Sequence, residues 1–169
     1  MTIATRMKRI LTALMVAFTL LFMSGGMSFA QDLQKGLEAE EKGDYATAFQ
    51  IFRALAEQGD ADAQYFLGWM YYKGQGVLQD YKKAVEWNRK SAEQGEANAQ
   101  FALGAAYALG RGVIQDNVYA HMWWNIATSN GLSGADMSRD DIAKQMTPSQ
   151  IAEAQKLARE CVRKQLKGC

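Results

Sequence analysis

The sequence predicts an all-α fold: a solenoid of helix pairs closed by a C-terminal capping helix. Three observations lead to it. Segments recur at a fixed interval of 36 residues, Asp44-Tyr45 returning as Asp80-Tyr81 and then as Asp116, and a period in the thirties marks a stack of like units. Within each interval the apolar residues fall at helical spacing. The chain also has a single proline in 169 residues, which suits uninterrupted helices. With 49% hydrophobic and 22% charged residues, the composition is that of a globular chain and excludes bulk disorder.

The first element is a leader. Arg6, Lys8 and Arg9 precede the uncharged run Ile10–Met23. Ser24, Gly25 and Gly26 break the run, and Ser28-Phe29-Ala30 places small residues at the −3 and −1 positions of a cleavage site. This layout predicts a secretory signal peptide over 1–30. The alternative, an uncleaved anchor, needs about 20 apolar residues, and the run is shorter. The expected location is therefore periplasmic or secreted, with no membrane association after cleavage. Removing 1–30 leaves 16 Lys and Arg against 18 Asp and Glu, a formal charge of −2. That balance argues against nucleic acid as a partner, which calls for a basic footprint.

Residues 31–43 follow as an N-terminal half-repeat, with Asp32–Lys42 helical before Gly43. Residues 44–131 hold the repeats. The unit starting at Asp44 and the unit starting at Asp80 align without a gap at Ala56-Glu57-Gln58-Gly59 and Ala92-Glu93-Gln94-Gly95, at Ala63-Gln64 and Ala99-Gln100, and at Leu67-Gly68 and Leu103-Gly104. They align again at Tyr71 and Tyr107, and at Gly74-x-Gly76-Val77 and Gly110-x-Gly112-Val113. Each unit reads as two helices. Asp44, Asp80 and Asp116 are the expected N-caps, since a short carboxylate accepts from the free amides of a first turn. Tyr45, Ala48, Phe52 and Leu55 form an apolar face, and Gly59, Gly95 and Gly131 fit the left-handed position after the first helix. Gly68 and Gly104 lie inside the second helices, where glycine costs about 1 kcal/mol against alanine; the expectation is a close helix–helix approach. The Gly-x-Gly pairs turn the chain into the next unit, with Val77 and Val113 filling the space behind. The third unit keeps Ala120, Trp123 and Gly131, but Arg139 and Asp140 replace the Leu-Gly pair. Such degeneration is expected of an end unit, which has water on one side.

These residues resemble the Sel1-like repeat, a relative of the tetratricopeptide repeat, over about Asp44–Gly131. The pattern stands here as Ala99, Leu103-Gly104, Tyr107, Gly110-x-Gly112-Val113, Asp116, Ala120, Trp123 and Gly131, with Lys83-Ala84, Trp87 and Ala92-Glu93-Gln94-Gly95 in the unit before. The resemblance implies a right-handed α/α solenoid of tetratricopeptide-like helix pairs and a scaffold that grips a protein or peptide. One departure is Asn88, at a position usually aromatic in the family.

Residues 132–169 are read as the degenerate repeat end and the capping helix. Leu132–Arg139, rich in small and polar residues, is expected to be a loop. Thr147-Pro148-Ser149-Gln150 is a capping box with proline at the first helical position. Ile151, Ala154, Leu157, Ala158 and Cys161 then form one apolar stripe. Cys161 and Cys169 are the two cysteines, and an exported context favours a disulfide over free thiols. A continuous helix would hold their Cα atoms about 12 Å apart, beyond the reach of a disulfide, so the helix must end before Cys169, with Gly168 free to turn back.

Little in the chain carries chemistry. His121 is the single imidazole and is read as a core or groove-lining residue. The Gly-x-Gly pairs follow helices and lack Gly-Lys-Ser/Thr, so phosphate-loop readings fail. Trp69, Trp87, Trp123 and Trp124 would make an aromatic ligand box, but recurrence at unit spacing favours core packing for Trp87 and Trp123. No catalytic, cofactor or metal site is assigned. The expected function is a non-catalytic exported scaffold for protein–protein or protein–peptide interaction. The alternative is a secreted hydrolase, because some cysteine-rich proteins of this repeat type are described as β-lactamases; those carry a cysteine pair in each repeat, and this chain has none there. The expected contact surface lies on the first helices, at Gln50 and Arg53, Glu86 and Arg89, and Met122 and Asn125, with Asn88 adding a hydrogen-bonding group to its floor.

Overall fold

The structure, a computed structural model, describes residues 30–169. All of the expected leader except Ala30 lies outside the described residues. From there eight helices follow one another, with no strand among the described residues: α1 (30–41), α2 (Tyr45–Glu57), α3 (Ala61–Lys73), α4 (Tyr81–Ala92), α5 (Ala97–Leu109), α6 (Asn117–Ser129), α7 (Ala135–Ala143) and α8 (Pro148–Arg163). Consecutive helices from α2 to α7 pack on one another as antiparallel pairs, and α8 packs on α6. The result is an all-α solenoid.

Capping starts each first helix where the sequence placed it. Asp44 Oδ1 accepts from the Thr47 amide at 3.1 Å, Asp80 Oδ1 from Lys83 at 3.0 Å, and Asp116 Oδ1 from Val118 and Tyr119 at 2.8 and 3.2 Å. The second helices are capped as well, α3 by Asp60 and α5 by Glu96. Gly59, Gly95 and Gly131 follow the first helices with φ of +98°, +96° and +86°. The Gly-x-Gly turns are fixed by space and by dihedral angle: a Cβ on Gly76 would sit 2.2 Å from the Tyr45 carbonyl oxygen, and one on Gly112 2.2 Å from that of Tyr81. The turn is thereby pressed against the start of the first helix of its own unit.

The core runs along the stack. Ala48, Phe52, Leu55, Ala63, Leu67 and Met70 fill its first part, with Val77 packed against them. Ala92, Ala99, Leu103, Trp123 and Ile126 fill the next, with Val113 against them. Dispersion contacts are joined by a polar ladder that the sequence alignment marked without explaining. Buried Gln64 donates from Nε2 to the Ala56 carbonyl at 3.2 Å and accepts from Gln94 Nε2 at 2.8 Å. One unit on, Gln100 donates to the Ala92 carbonyl at 3.3 Å and accepts from Asn130 Nδ2 at 2.9 Å. The buried glutamine of each Ala-Gln pair thus ties one unit to the next through the amide that precedes Gly95 or Gly131.

The C-terminal region departs from the expectation in one place. The segment Leu132–Arg139, expected as a loop, contains the start of α7. Ala135 stands 36 residues after Ala99 and 72 after Ala63, and all three are fully buried. That packing holds the third unit's second helix in register although Arg139 and Asp140 replace Leu-Gly. Gly134, with φ +85°, provides the N-cap residue. After it, α8 begins with the expected Thr147–Gln150 capping box and Pro148, and buries Ala154, Ala158 and Cys161. The helix ends at Arg163, and Cys161 and Cys169 form a disulfide with Cα atoms 5.7 Å apart. The return uses positive φ at Gln165 and Leu166 as well as Gly168.

Candidate functional site

The glycines inside the second helices form a repeated socket. A Cβ on Gly36 of α1 would lie 2.5 Å from Phe52 Cε1; one on Gly68 of α3, 2.7 Å from Asn88 Oδ1; one on Gly104 of α5, 2.5 Å from Trp124 Nε1. In each case the first helix of the next pair drives a side chain into the space where the Cβ is missing. Phe52 is fully buried, and Trp124 is 7% exposed and donates from Nε1 to the Phe101 carbonyl at 3.1 Å. The middle socket receives the smaller Asn88. Its Oδ1 is buried with no partner inside the protein, and an orphaned buried acceptor costs about 1–3 kcal/mol.

An open cleft of about 320 Å³ lies above this asparagine. Its floor is Ala84, Val85 and Asn88 of α4. One wall is α3, with Tyr65, Trp69, Tyr72 and Lys73; the other is α5, with Phe101, Ala102, Ala105 and Ala106. The walls are unequal. Trp69 and Tyr72 stand at the register positions of Ala105 and Ala108, so bulk on one side faces small residues on the other. Trp69 is 37% exposed and stacks on Tyr72 with ring centroids 5.8 Å apart.

One end of the cleft is cationic. Arg111 donates from Nη1 to the Tyr72 hydroxyl, and its guanidinium lies 5.4 and 5.6 Å from the ring centres of Tyr72 and Tyr81. Lys73 Nζ lies 4.6 Å from the centre of the Trp69 ring. Such contacts hold a guanidinium in place and leave other donors for an anion. At the other end, Asn98 donates to Glu96 Oε1 at 2.8 Å. Burial, and then the charges of Glu96 and Glu40, raise the Tyr65 phenol above its ordinary pKa.

The Sel1 repeat profile matches residues 31–60, 61–96 and 97–132. The chain belongs to the Sel1 repeat family. Each matched Sel1 unit runs from a second helix to the following first helix, so Gly36 with Phe52, Gly68 with Asn88 and Gly104 with Trp124 are equivalent pairs inside single units. The chain is similar to a solved protective antigen present in uropathogenic Escherichia coli strains displaying an SLR fold, with 30% identity and a TM-score of 0.78 over 82% of this chain and 30% of that one. It is similar to a Sel1 repeat protein from Oxalobacter formigenes, with 35% identity and a TM-score of 0.53 over 54% of this chain and 26% of that one. Helicobacter pylori cysteine rich protein B shares the fold at 20% identity and a TM-score of 0.52, over 65% of this chain and 93% of that one. The chain therefore spans less than a third of the length of the first two. No curated protein matches its sequence.

The Sel1 stack places the seven expected contact residues in several different surroundings. Gln50 is exposed beside Asp32 and Lys35 in a groove between α1 and α2. Arg53 and Glu86 share a groove with Lys83, Trp87 and Lys90, and Arg53 Nε donates to Glu57 Oε1 at 2.8 Å. Arg89 is half-buried, its Nη2 donating to the Tyr107 hydroxyl at 2.9 Å. Asn125 borders a groove between α6 and α8, beside Lys156 and Arg159. Met122 corrects the expectation: at 2% exposure it belongs to the core beside Leu103 and Ile126, because α8 covers the face of α6 that is open in earlier units. Asn88 lies under the α3–α5 cleft, on the side of the second helices.

The four tryptophans do not converge on one box. Trp123 is fully buried, Trp124 fills its socket, and Trp87 is half-buried with Lys90 Nζ 3.9 Å from its ring centre. Trp69 alone lines the cleft. His121 is 3% exposed, and its Nδ1 has no partner inside the protein. Burial and then Arg139 lower its pKa below the usual imidazole value, against a smaller opposite effect of Asp140. Among the described residues no three His, Cys, Asp or Glu side chains are grouped to hold a metal ion, and no helix is long and apolar enough to cross a membrane.

Proposed function

We propose that this chain is an exported, non-catalytic repeat scaffold for protein–protein or protein–peptide interaction, and that it holds a partner segment in the cleft above Asn88. One observation carries the reading: the same socket is filled by an aromatic ring in the flanking units and by the smaller Asn88 in the middle one, where an open cleft lies above it. Export is supported by the leader pattern in residues 1–30 and by the disulfide, since such bonds persist in oxidising compartments. The polar groups of the cleft are amides, phenols and two cations; they suit recognition and offer no nucleophile held by a base.

The test is capture from the exported fraction by residues 31–169, comparing the natural chain with Asn88→Trp. The substitution restores the aromatic residue and closes the cleft. A partner bound by the natural chain and lost by the variant, with unchanged helical content, is the expected result. Equal capture by both overturns the placement of the site. Turnover of a chromogenic β-lactam by the natural chain overturns the non-catalytic reading.

A further inference from the structure

We infer that the cleft selects an extended peptide segment of about four residues, seating a bulky apolar side chain above Asn88 and an acidic side chain at Arg111 and Lys73. This rests on the cleft being the contact site and names what it takes. Length comes first. The α3 wall runs from Tyr65 to Lys73, and eight residues of helix rise about 12 Å, the span of about four residues of extended chain at ~3.3 Å each. A single terminal residue would leave most of that length empty, so the fit favours a segment passing through the cleft.

Charge sets the second requirement. Lys73 and Arg111 line the cleft and no carboxylate does; neither takes part in an ion pair among the described residues. Arg111 is already oriented by two rings and a hydroxyl, which presents a planar fork suited to a carboxylate. Glu96 marks the opposite end through Asn98, so the acid of the ligand belongs at the Arg111 end only. The third requirement comes from the floor. The hollow lies over Asn88, the register position that carries an aromatic ring in the neighbouring units, and is bounded by Tyr65, Phe101 and the small residues of α5.

The probes are fluorescent peptides, acetylated and amidated to remove terminal charge, with Phe and Glu two residues apart in either order. Controls exchange Glu for Lys or Phe for Ala, or replace Glu by Ala and leave the C-terminal carboxylate free. For residues 31–169 at low salt, the expected result is binding of a Phe–Glu peptide at least tenfold tighter than each capped control. Lys73→Glu and Arg111→Glu should each remove most of that preference, and Asn88→Trp should abolish binding, with thermal melts verifying that the variants fold. Lys73 is the safeguard, since it lies at an exposed helix end. Equal binding of Glu and Lys peptides, binding only of the free-carboxylate peptide, or no binding at all overturns the inference. If the partner captured from the exported fraction is still lost with Asn88→Trp, the cleft stands and only its selectivity falls; if Asn88→Trp keeps the partner, the cleft itself falls.

Discussion

The middle and last sockets share a backbone and differ in one side chain. At the Gly104 socket the Trp124 ring fills the space and its indole N–H meets the Phe101 carbonyl. At the Gly68 socket Asn88 reaches the glycine but leaves its oxygen unpartnered and a cleft above it. The same register position is therefore structural in one unit and open in the next. A solenoid tolerates this because each unit is held mainly by its neighbours, and the Gln64–Gln94 and Gln100–Asn130 bonds persist on both sides of the opening. One element of packing is left out there while the surrounding repeat stays intact.

The comparison breaks most severely if the filled socket is emptied. Trp124→Asn makes the last unit like the middle one and should cost about 3–5 kcal/mol, the range for removing a large buried ring, read as a lowered urea midpoint at unchanged slope. A loss under about 1 kcal/mol would mean that the ring fills the socket without supporting the stack. The ladder comes next. Gln100 is fully buried and serves two partners, so Gln100→Ala removes the acceptor of the Asn130 amide and leaves the Ala92 carbonyl with the Gly95 amide alone. The expected cost is about 1–3 kcal/mol, and amide exchange should quicken at the junction of α4, α5 and α6 before it does in α2.

What the sequence made legible follows from periodicity. Caps, turn glycines and the Leu-Gly core positions repeat, so aligning the chain with itself exposes them. Asn88 was legible as a departure, but its consequence was not, because a socket involves two helices and the alignment compares one position at a time. The missed signal was the pairing of Trp69 and Tyr72 with Ala105 and Ala108: equal register, unequal bulk. Met122 lies in the core because α8 covers, in the last unit, the helix face that the equivalent residues of earlier units leave exposed. The start of α7 was missed because Ser, Gly and Asp dominate Leu132–Arg139, while the one residue that sets its register is Ala135.

A third difference between the units is electrostatic. His121 stands in α6 where Val85 stands in α4, and both are buried. The charged groups acting on the imidazole, Arg139 and Asp140, lie on α7. With the folded pKa lowered, the unfolded chain binds the proton first as pH falls. Stability attributable to this residue should therefore be present above the unfolded value near 6.5 and decline below it, until the folded imidazole also protonates. His121→Val should flatten the pH dependence of the melting temperature between about pH 6.5 and 5. An unchanged slope would show that the imidazole stays neutral or is equally accessible in both states.

The smallest effect is expected on the face of the first helices, and it separates two arginines at one register position. Arg53 and Arg89 are equivalent by sequence, 36 residues apart, and both belong to the expected contact surface. In the structure Arg53 is exposed and paired within its own helix to Glu57, whereas Arg89 is half-buried and reaches Tyr107 in the second helix that follows α4. An exposed ion pair contributes little, so Arg53→Glu should leave the unfolding midpoint within measurement error. Arg89→Glu removes a charged donor from a partly buried phenol and places a carboxylate there, and a cost of about 1 kcal/mol is expected from the lost bond. Arg89→Lys, which keeps the charge but lacks the planar fork, should fall between the natural chain and Arg89→Glu. If Arg53→Glu and Arg89→Glu shift the midpoint equally, the Arg89–Tyr107 bond does not brace the units, and both arginines return to the category of surface charge. If Arg89→Glu instead weakens partner capture at an unchanged midpoint, the face of the first helices is the contact surface and the cleft loses its claim.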